Sequence, residues 1–190
     1  MQGMFLKADG DEIDADERQE ILSYLPQGKE ILELGAGIGR FTTEFAKQAD
    51  RVAAVELMPH FLEENRQRNQ AFKTIEYVCA DAMDAVFAVE SFDLIFLNSL
   101  MMYLDELEVL TLIERFHTWL KPGGHLFFRE TCAAVEKHFF QTYYVTYRTL
   151  HFYTRIFDQR WKLLKQDSIK LFELRYAHPF HCFWLYHKVR

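Results

Sequence analysis

Residues 29–46, KEILELGAGIGRFTTEFA, join an apolar run to three closely spaced glycines and then to a segment with helical periodicity. A strand, a glycine loop and a helix in that order set backbone N–H groups beside a bound ligand, with Gly allowing close approach. Here Gly35, Gly37 and Gly39 are spaced G-x-G-x-G, with Glu33 before them. A dinucleotide fingerprint needs G-x-G-x-x-G, so the third glycine arrives one residue too early for an NAD site.

Outward from this loop, short apolar segments alternate with amphipathic ones. EILEL (30–34), RVAAVEL (51–57), TIEYVCA (74–80), FDLIFLN (92–98) and HLFFRE (125–130) read as strands. Helical patterns occupy about 38–49, 59–70 and 105–120, the last closed by KPGG. An earlier helix runs from a cap at Asp14 or Asp16 to about Leu25, before Pro26 and Gly28. This alternation predicts an α/β, Rossmann-like, doubly wound sheet of about seven strands, mostly parallel. Two late strands at about 162–175 and 179–189, turning near AHPF, predict a closing antiparallel β-hairpin. The whole of 1–190 is expected to be one domain, with 1–28 an N-terminal helical segment and 131–160 a substrate lid.

Composition narrows the partners. Against 22 Lys and Arg stand 28 Asp and Glu, a formal charge of −6, with no basic tract to neutralise a phosphate backbone, which argues against nucleic acid. Cys79, Cys132 and Cys182 are odd in number and far apart, which suits reduced thiols in a cytoplasmic protein. No apolar run reaches membrane length and no signal-like segment opens the chain, so an unprocessed protein away from the membrane is expected. An aromatic share of 16% suits an aromatic-lined pocket as well as a core.

The strand ends carry the remaining candidates. Glu56, about twenty residues beyond the loop and followed by Leu57, is placed to accept hydrogen bonds from ribose hydroxyls. Asp81 and Ala82 end the third strand, where a carboxylate can take the exocyclic amine of adenine, and Asn98 and Ser99 end the fourth. All lie at carboxyl ends of strands, the ligand rim of an open α/β sheet. His178, His181, Cys182 and His187 look like metal ligands, but alternation along a strand sends some of them to opposite faces, so no metal is expected.

In these features the chain resembles the class I S-adenosylmethionine-dependent methyltransferases. The resemblance implies S-adenosylmethionine as cofactor, S-adenosylhomocysteine as product, and binding through Glu33, Gly35, Ala36, Gly37, Gly39, Glu56, Leu57, Asp81, Ala82, Asn98 and Ser99. Four stretches, LELGAGIGRFT (32–42), SFDLIFLNSLMMYL (91–104), WLKPGGHLFFRETC (119–132) and TYRTLHFYTRIF (146–157), are similar to the phosphoethanolamine N-methyltransferases of plants and nematodes. That resemblance implies methylation of a small amine of the phosphoethanolamine type. It places catalytic groups at Tyr103 and His151 and substrate contacts at Tyr103, Tyr147, Arg148, His151, Tyr153 and Lys188.

Two departures keep other readings open. The family's lid arginine falls on His151, and imidazole is a poorer phosphate ligand than a bidentate guanidinium. Family members also carry, ahead of the part matching MFLKADG, a tyrosine that closes over the substrate, so a different lid or a partner chain is expected here. Phe139, Phe140, Tyr143, Tyr144, Tyr147, Phe152 and Tyr153 supply lid candidates. A small-metabolite acceptor at sulfur, oxygen or ring nitrogen, or a cofactor-binding partner subunit without catalysis, therefore stands beside the amine reading. A monomer or homodimer is expected.

Overall fold

The computed structural model describes residues 10–140, 144–176 and 180–189. Its main sheet is built from β1 (Glu30–Leu34), β2 (Arg51–Glu56), β3 (Ile75–Cys79), β4 (Phe92–Asn98), β5 (Leu120–Thr131), β8 (Trp161–Ser168) and β9 (His181–Lys188). The order across it is β3-β2-β1-β4-β5-β9-β8. The first five strands are mutually parallel, whereas β9 runs antiparallel to both β5 and β8. This is the expected doubly wound sheet with an antiparallel end.

Parallel strands buried on both faces must be apolar on both, and alternate residues divide into two cores. One face gathers Leu32, Leu34, Val55, Ile95, Leu97, Leu126 and Phe128 under α4 (Glu106–Trp119) and α5 (Leu150–Arg155). The other gathers Ile31, Val52, Leu94, Phe96, Phe127 and Phe183 under α1 (Gly10–Tyr24), α2 (Thr42–Ala46) and α6 (Lys170–Tyr176). The remaining helix, α3 (Pro59–Arg68), lies beside β2 and β3. Among the described residues no helix is long and apolar enough to cross a membrane.

The chain end departs from expectation. Only 161–168 of the predicted late strand is strand; 170–176 forms α6, so β8 and β9 are antiparallel neighbours joined through a helix. Its cause is tertiary: the Glu20 carboxylate of α1 accepts from the amides of Lys170 (2.6 Å) and Leu171 (2.9 Å), satisfying two otherwise orphan donors at the start of α6. The predicted turn near AHPF covers residues 177–179, outside the described residues. The first helix likewise begins before Asp14, at Gly10. Within 131–160, β6 (Lys137–Phe140) and β7 (Tyr144–Tyr147) form a separate two-stranded sheet, so Phe139, Phe140, Tyr144 and Tyr147 belong to strands. Tyr143 and the side chains of Phe139, Phe140 and Tyr144 lie outside the described residues.

Candidate active site

The carboxyl ends of β1 to β4 surround a cavity of about 430 Å³. Gly35, Gly37, Glu56, Leu57, Asp81, Ala82, Asn98, Ser99 and Tyr103 from the sequence candidates line it, joined by Met58, Phe61, Leu100 and Leu104. Glu33, near the end of β1, and the loop residues Ala36 and Gly39 are not among the lining residues.

The loop is pinned to β2 before any ligand is considered. The amides of Gly35 and Ala36 both donate to the Val55 carbonyl at 2.9 Å. The Gly37 amide donates to Glu56 Oε2 at 2.9 Å, and the Met58 amide donates to the other oxygen at 2.9 Å. Gly37 sits at φ 53°, and a Cβ there would meet none of the described residues within 4 Å, so the open side of this residue faces the cavity it lines. Gly39, at φ 87°, is the opposite case: a Cβ would come within 2.6 Å of Asn65 Cγ and 2.7 Å of Asn69 Nδ2.

Those asparagines belong to a buried polar chain that sequence reading missed. Thr42 Oγ1 donates to Glu33 Oε2 (2.5 Å) and accepts from Asn65 Nδ2 (2.9 Å). Asn69 Nδ2 donates to Asn65 Oδ1 (2.9 Å), and Thr43 Oγ1 donates to Asn69 Oδ1 (2.7 Å). Glu33, Thr42, Asn65 and Asn69 are all buried. A fully partnered network of this kind fixes a backbone more firmly than apolar packing alone. Burial pushes the Glu33 carboxyl up to about 8, against the pull of its Thr42 hydrogen bonds. Two asparagines four apart on the inner side of a helix were the available signal.

At the far wall, Asp81 Oδ1 accepts from the Met83 amide at 2.8 Å, which orients the carboxylate at the strand end. Asn98 Oδ1 is buried at the cavity without a hydrogen-bond partner among the described residues. Such an acceptor awaits a donor. Ser99 holds φ 57°, a strained conformation for a side-chain-bearing residue, and its amide donates to the Arg129 carbonyl at 2.8 Å. Arg129 is itself buried, donating to Ser99 Oγ, pairing with Glu17 of α1 at 3.0 Å and reaching His181 Nδ1 at 2.6 Å.

The substrate candidates scatter. Tyr103, in the 3-10 turn Met101–Tyr103, lines the cavity and is 44% exposed. Tyr147 is half-buried at the end of β7, and His151 is exposed on α5 with Nε2 3.5 Å from Arg155 Nη1; neither lines the cavity. Arg148 is buried, donating to the carbonyls of Met101 (2.8 Å) and Leu104 (2.5 Å). Two expectations are corrected. Tyr153 is core, packed on Phe128 and Trp184, where burial pushes its phenol well above its ordinary range. Lys188 lies at the opposite end of the sheet, donating to the Leu120 carbonyl at 2.8 Å, because antiparallel β9 carries its C-terminus away from the ligand rim. His181 and His187 oppose Thr131 and His125 on β5, about 20 Å apart at the rise of a strand; His178 lies outside the described residues.

Residues 32–128 match the methyltransferase domain family. The chain is 43% identical over 164 residues to the phosphoethanolamine N-methyltransferase of Triticum aestivum, across 84% of this chain and 32% of that protein. To phosphoethanolamine N-methyltransferase 1 of Caenorhabditis elegans it is 36% identical over 132 residues, across 68% of this chain and 28% of that one. Haemonchus contortus phosphoethanolamine N-methyltransferase 1, solved in complex with phosphoethanolamine and S-adenosylhomocysteine, superposes with a TM-score of 0.84 at 30% identity, over 95% of this chain and 43% of that one. The chain thus spans about a third of the length of these curated relatives. The family match begins within β1 and ends within β5, enclosing the glycine loop and the strand ends that line the cavity. The chain belongs to the methyltransferase domain family.

Proposed function

We propose that the cavity binds S-adenosylmethionine and that the chain transfers its methyl group to the nitrogen of a small amine. The observation that carries this reading is the pairing of Glu56, fixed by two loop amides, with the buried unpartnered Asn98 Oδ1. When bound, the cofactor supplies an electrophilic sulfonium methyl. Glu56 retains lone pairs for ribose hydroxyls, and Asp81 keeps Oδ2 for the adenine amine. Asn98 Oδ1 suits the ammonium of the methionine part, and Leu57, Met58 and Phe61 exclude water around the adenosine.

Methyl transfer is an in-line displacement, so the protein must orient the amine and remove its proton. Tyr103 is the ionisable aromatic group in the cavity wall, and its ring face attracts a methylated ammonium by about 0.5–2 kcal/mol. The wheat and nematode relatives support an acceptor of the phosphoethanolamine type. One observation favours a second acceptor class: among the described residues, no Arg or Lys lines the cavity. An acceptor without phosphate, methylated at another atom, fits that lining. The expected assembly is a monomer or homodimer acting in the cytoplasm.

Calorimetry with S-adenosylhomocysteine tests the cofactor, and Gly37→Arg must abolish the binding. Turnover of labelled S-adenosylmethionine against a metabolite panel tests the acceptor. Labelling of phosphoethanolamine alone would remove the second class, and saturable cofactor binding without turnover on any acceptor would overturn the catalytic reading.

A further inference from the structure

Two buried charged side chains grip the turn that carries Tyr103. Glu130, fully buried at the end of β5, accepts through Oε1 from the amides of Leu100 (3.0 Å) and Met101 (2.7 Å). Arg148, buried just beyond β7, donates to the carbonyls of Met101 and Leu104 at 2.8 and 2.5 Å. These four bonds bracket residues 100–104. Within that span Met101, Met102 and Leu104 are buried, and Tyr103 is the exposed side chain, facing the cavity.

Taking a guanidinium and a carboxylate out of water is unfavourable, and apolar side chains of similar volume commonly serve stability as well or better. Two buried polar side chains each directed at main-chain groups are therefore weak evidence of a stability device and better evidence of a fixed geometry. The turn needs such fixing. Its backbone bonds include Tyr103 N to the Leu100 carbonyl (3.0 Å) and Leu104 N to the Met101 carbonyl (3.3 Å), the short pattern of a single 3-10 turn. Downstream, Asp105 and Glu108 form a capping box at the start of α4, so the chain is anchored on that side of 100–104.

We propose that Glu130 and Arg148 are positioning residues that set the phenol of Tyr103 against the acceptor. This rests on the methyltransferase reading above. Because Arg148 comes from the segment 131–160, and the Ala133 amide donates to its carbonyl at 3.1 Å, the clamp also ties the β6–β7 hairpin to the active-site turn. Arg148 then acts through Tyr103 and not as a ligand for substrate phosphate.

The test uses the full chain with 3-fluorotyrosine incorporated and S-adenosylhomocysteine added, the Tyr103 resonance being assigned as the one missing from Tyr103→Phe. In Arg148→Lys, whose ammonium cannot reach both carbonyls, and in Glu130→Ala, that resonance should shift or split while the other fluorotyrosines away from the turn hold their positions. Glu130→Gln, which keeps an oxygen acceptor, should restore it. If Glu130→Ala does not fold, Arg148→Lys decides alone. Kinetically, Arg148→Lys should lower kcat at least tenfold with S-adenosylhomocysteine affinity within about threefold, and add less than about twofold in a Tyr103→Ala background. An unmoved Tyr103 resonance, or an equal loss from Arg148→Lys in both backgrounds, overturns the proposal. Absent cofactor binding overturns the methyltransferase reading instead, since the resonance reports on the clamp with or without turnover.

Discussion

The backbone amide of Gly37 donates to Glu56 Oε2 at 2.9 Å, so the loop after β1 and the acidic end of β2 form one unit. Each oxygen of Glu56 takes one amide, the second from Met58. Glu56→Gln turns an NH2 toward one of these donors and leaves it unpaired, which costs about 1–3 kcal/mol. We expect S-adenosylhomocysteine to bind about 10- to 100-fold more weakly, read by calorimetry at constant ionic strength.

The second and third loop glycines, Gly37 and Gly39, should separate stability from binding. At Gly37 an added methyl group meets open space, so Gly37→Ala carries only the left-handed backbone penalty, about 1–2 kcal/mol, but projects into the ligand's volume. At Gly39 the same methyl group collides with Asn65 and Asn69 and opens the buried polar chain. Gly39→Ala should lower the urea midpoint by more than Gly37→Ala, whereas Gly37→Ala should lose more cofactor affinity per unit of stability lost. Identical ratios for the two variants would contradict this division.

Much of this arrangement was legible in the sequence because strands buried on both faces are short apolar runs, and their ends carry the polar residues a ligand needs. Glu56 could be placed at the rim from its spacing to the loop, and Asp81 and Asn98 from the apolar runs they end. What escaped was set by contacts between distant segments. Glu20 starts α6 from about 150 residues away, so the local pattern at 169–175, with β-branched and aromatic residues, reads equally well as strand. Tyr153 and Lys188 carry pocket chemistry in their side chains, yet the direction of β9 and the packing of α5 decide which end of the sheet they reach. Residue type alone cannot report that direction.

Tyr103→Phe keeps the ring and removes the phenolic oxygen. As proton acceptor for the amine, Tyr103 should contribute the 10²- to 10⁴-fold typical of positioned general acid–base groups. We therefore expect kcat to fall at least about 100-fold, with S-adenosylhomocysteine affinity unchanged within twofold. A proportional loss of both would instead make Tyr103 part of the cofactor's wall.

Stability should depend on pH through Glu33. Its carboxyl is pushed from 4.5 to about 8, chiefly by burial and also by the neighbouring Glu56 charge, with the Thr42 hydrogen bonds opposing. Between these values the folded chain holds a proton that the unfolded chain has released, so folding stability falls as pH rises from about 4.5 and levels off above about 8. Glu130, pushed up to about 7 by burial, bends the curve in the same direction, so the wild-type profile alone does not isolate either group. Glu33→Gln, which mimics the protonated form and keeps an oxygen for Thr42, removes one contribution. Urea unfolding of both proteins at pH 5, 7 and 9 should show the variant gaining on the wild type at each step upward. Parallel profiles would mean that Glu33 remains ionised in the folded chain, with its charge compensated through Thr42 and the buried asparagines.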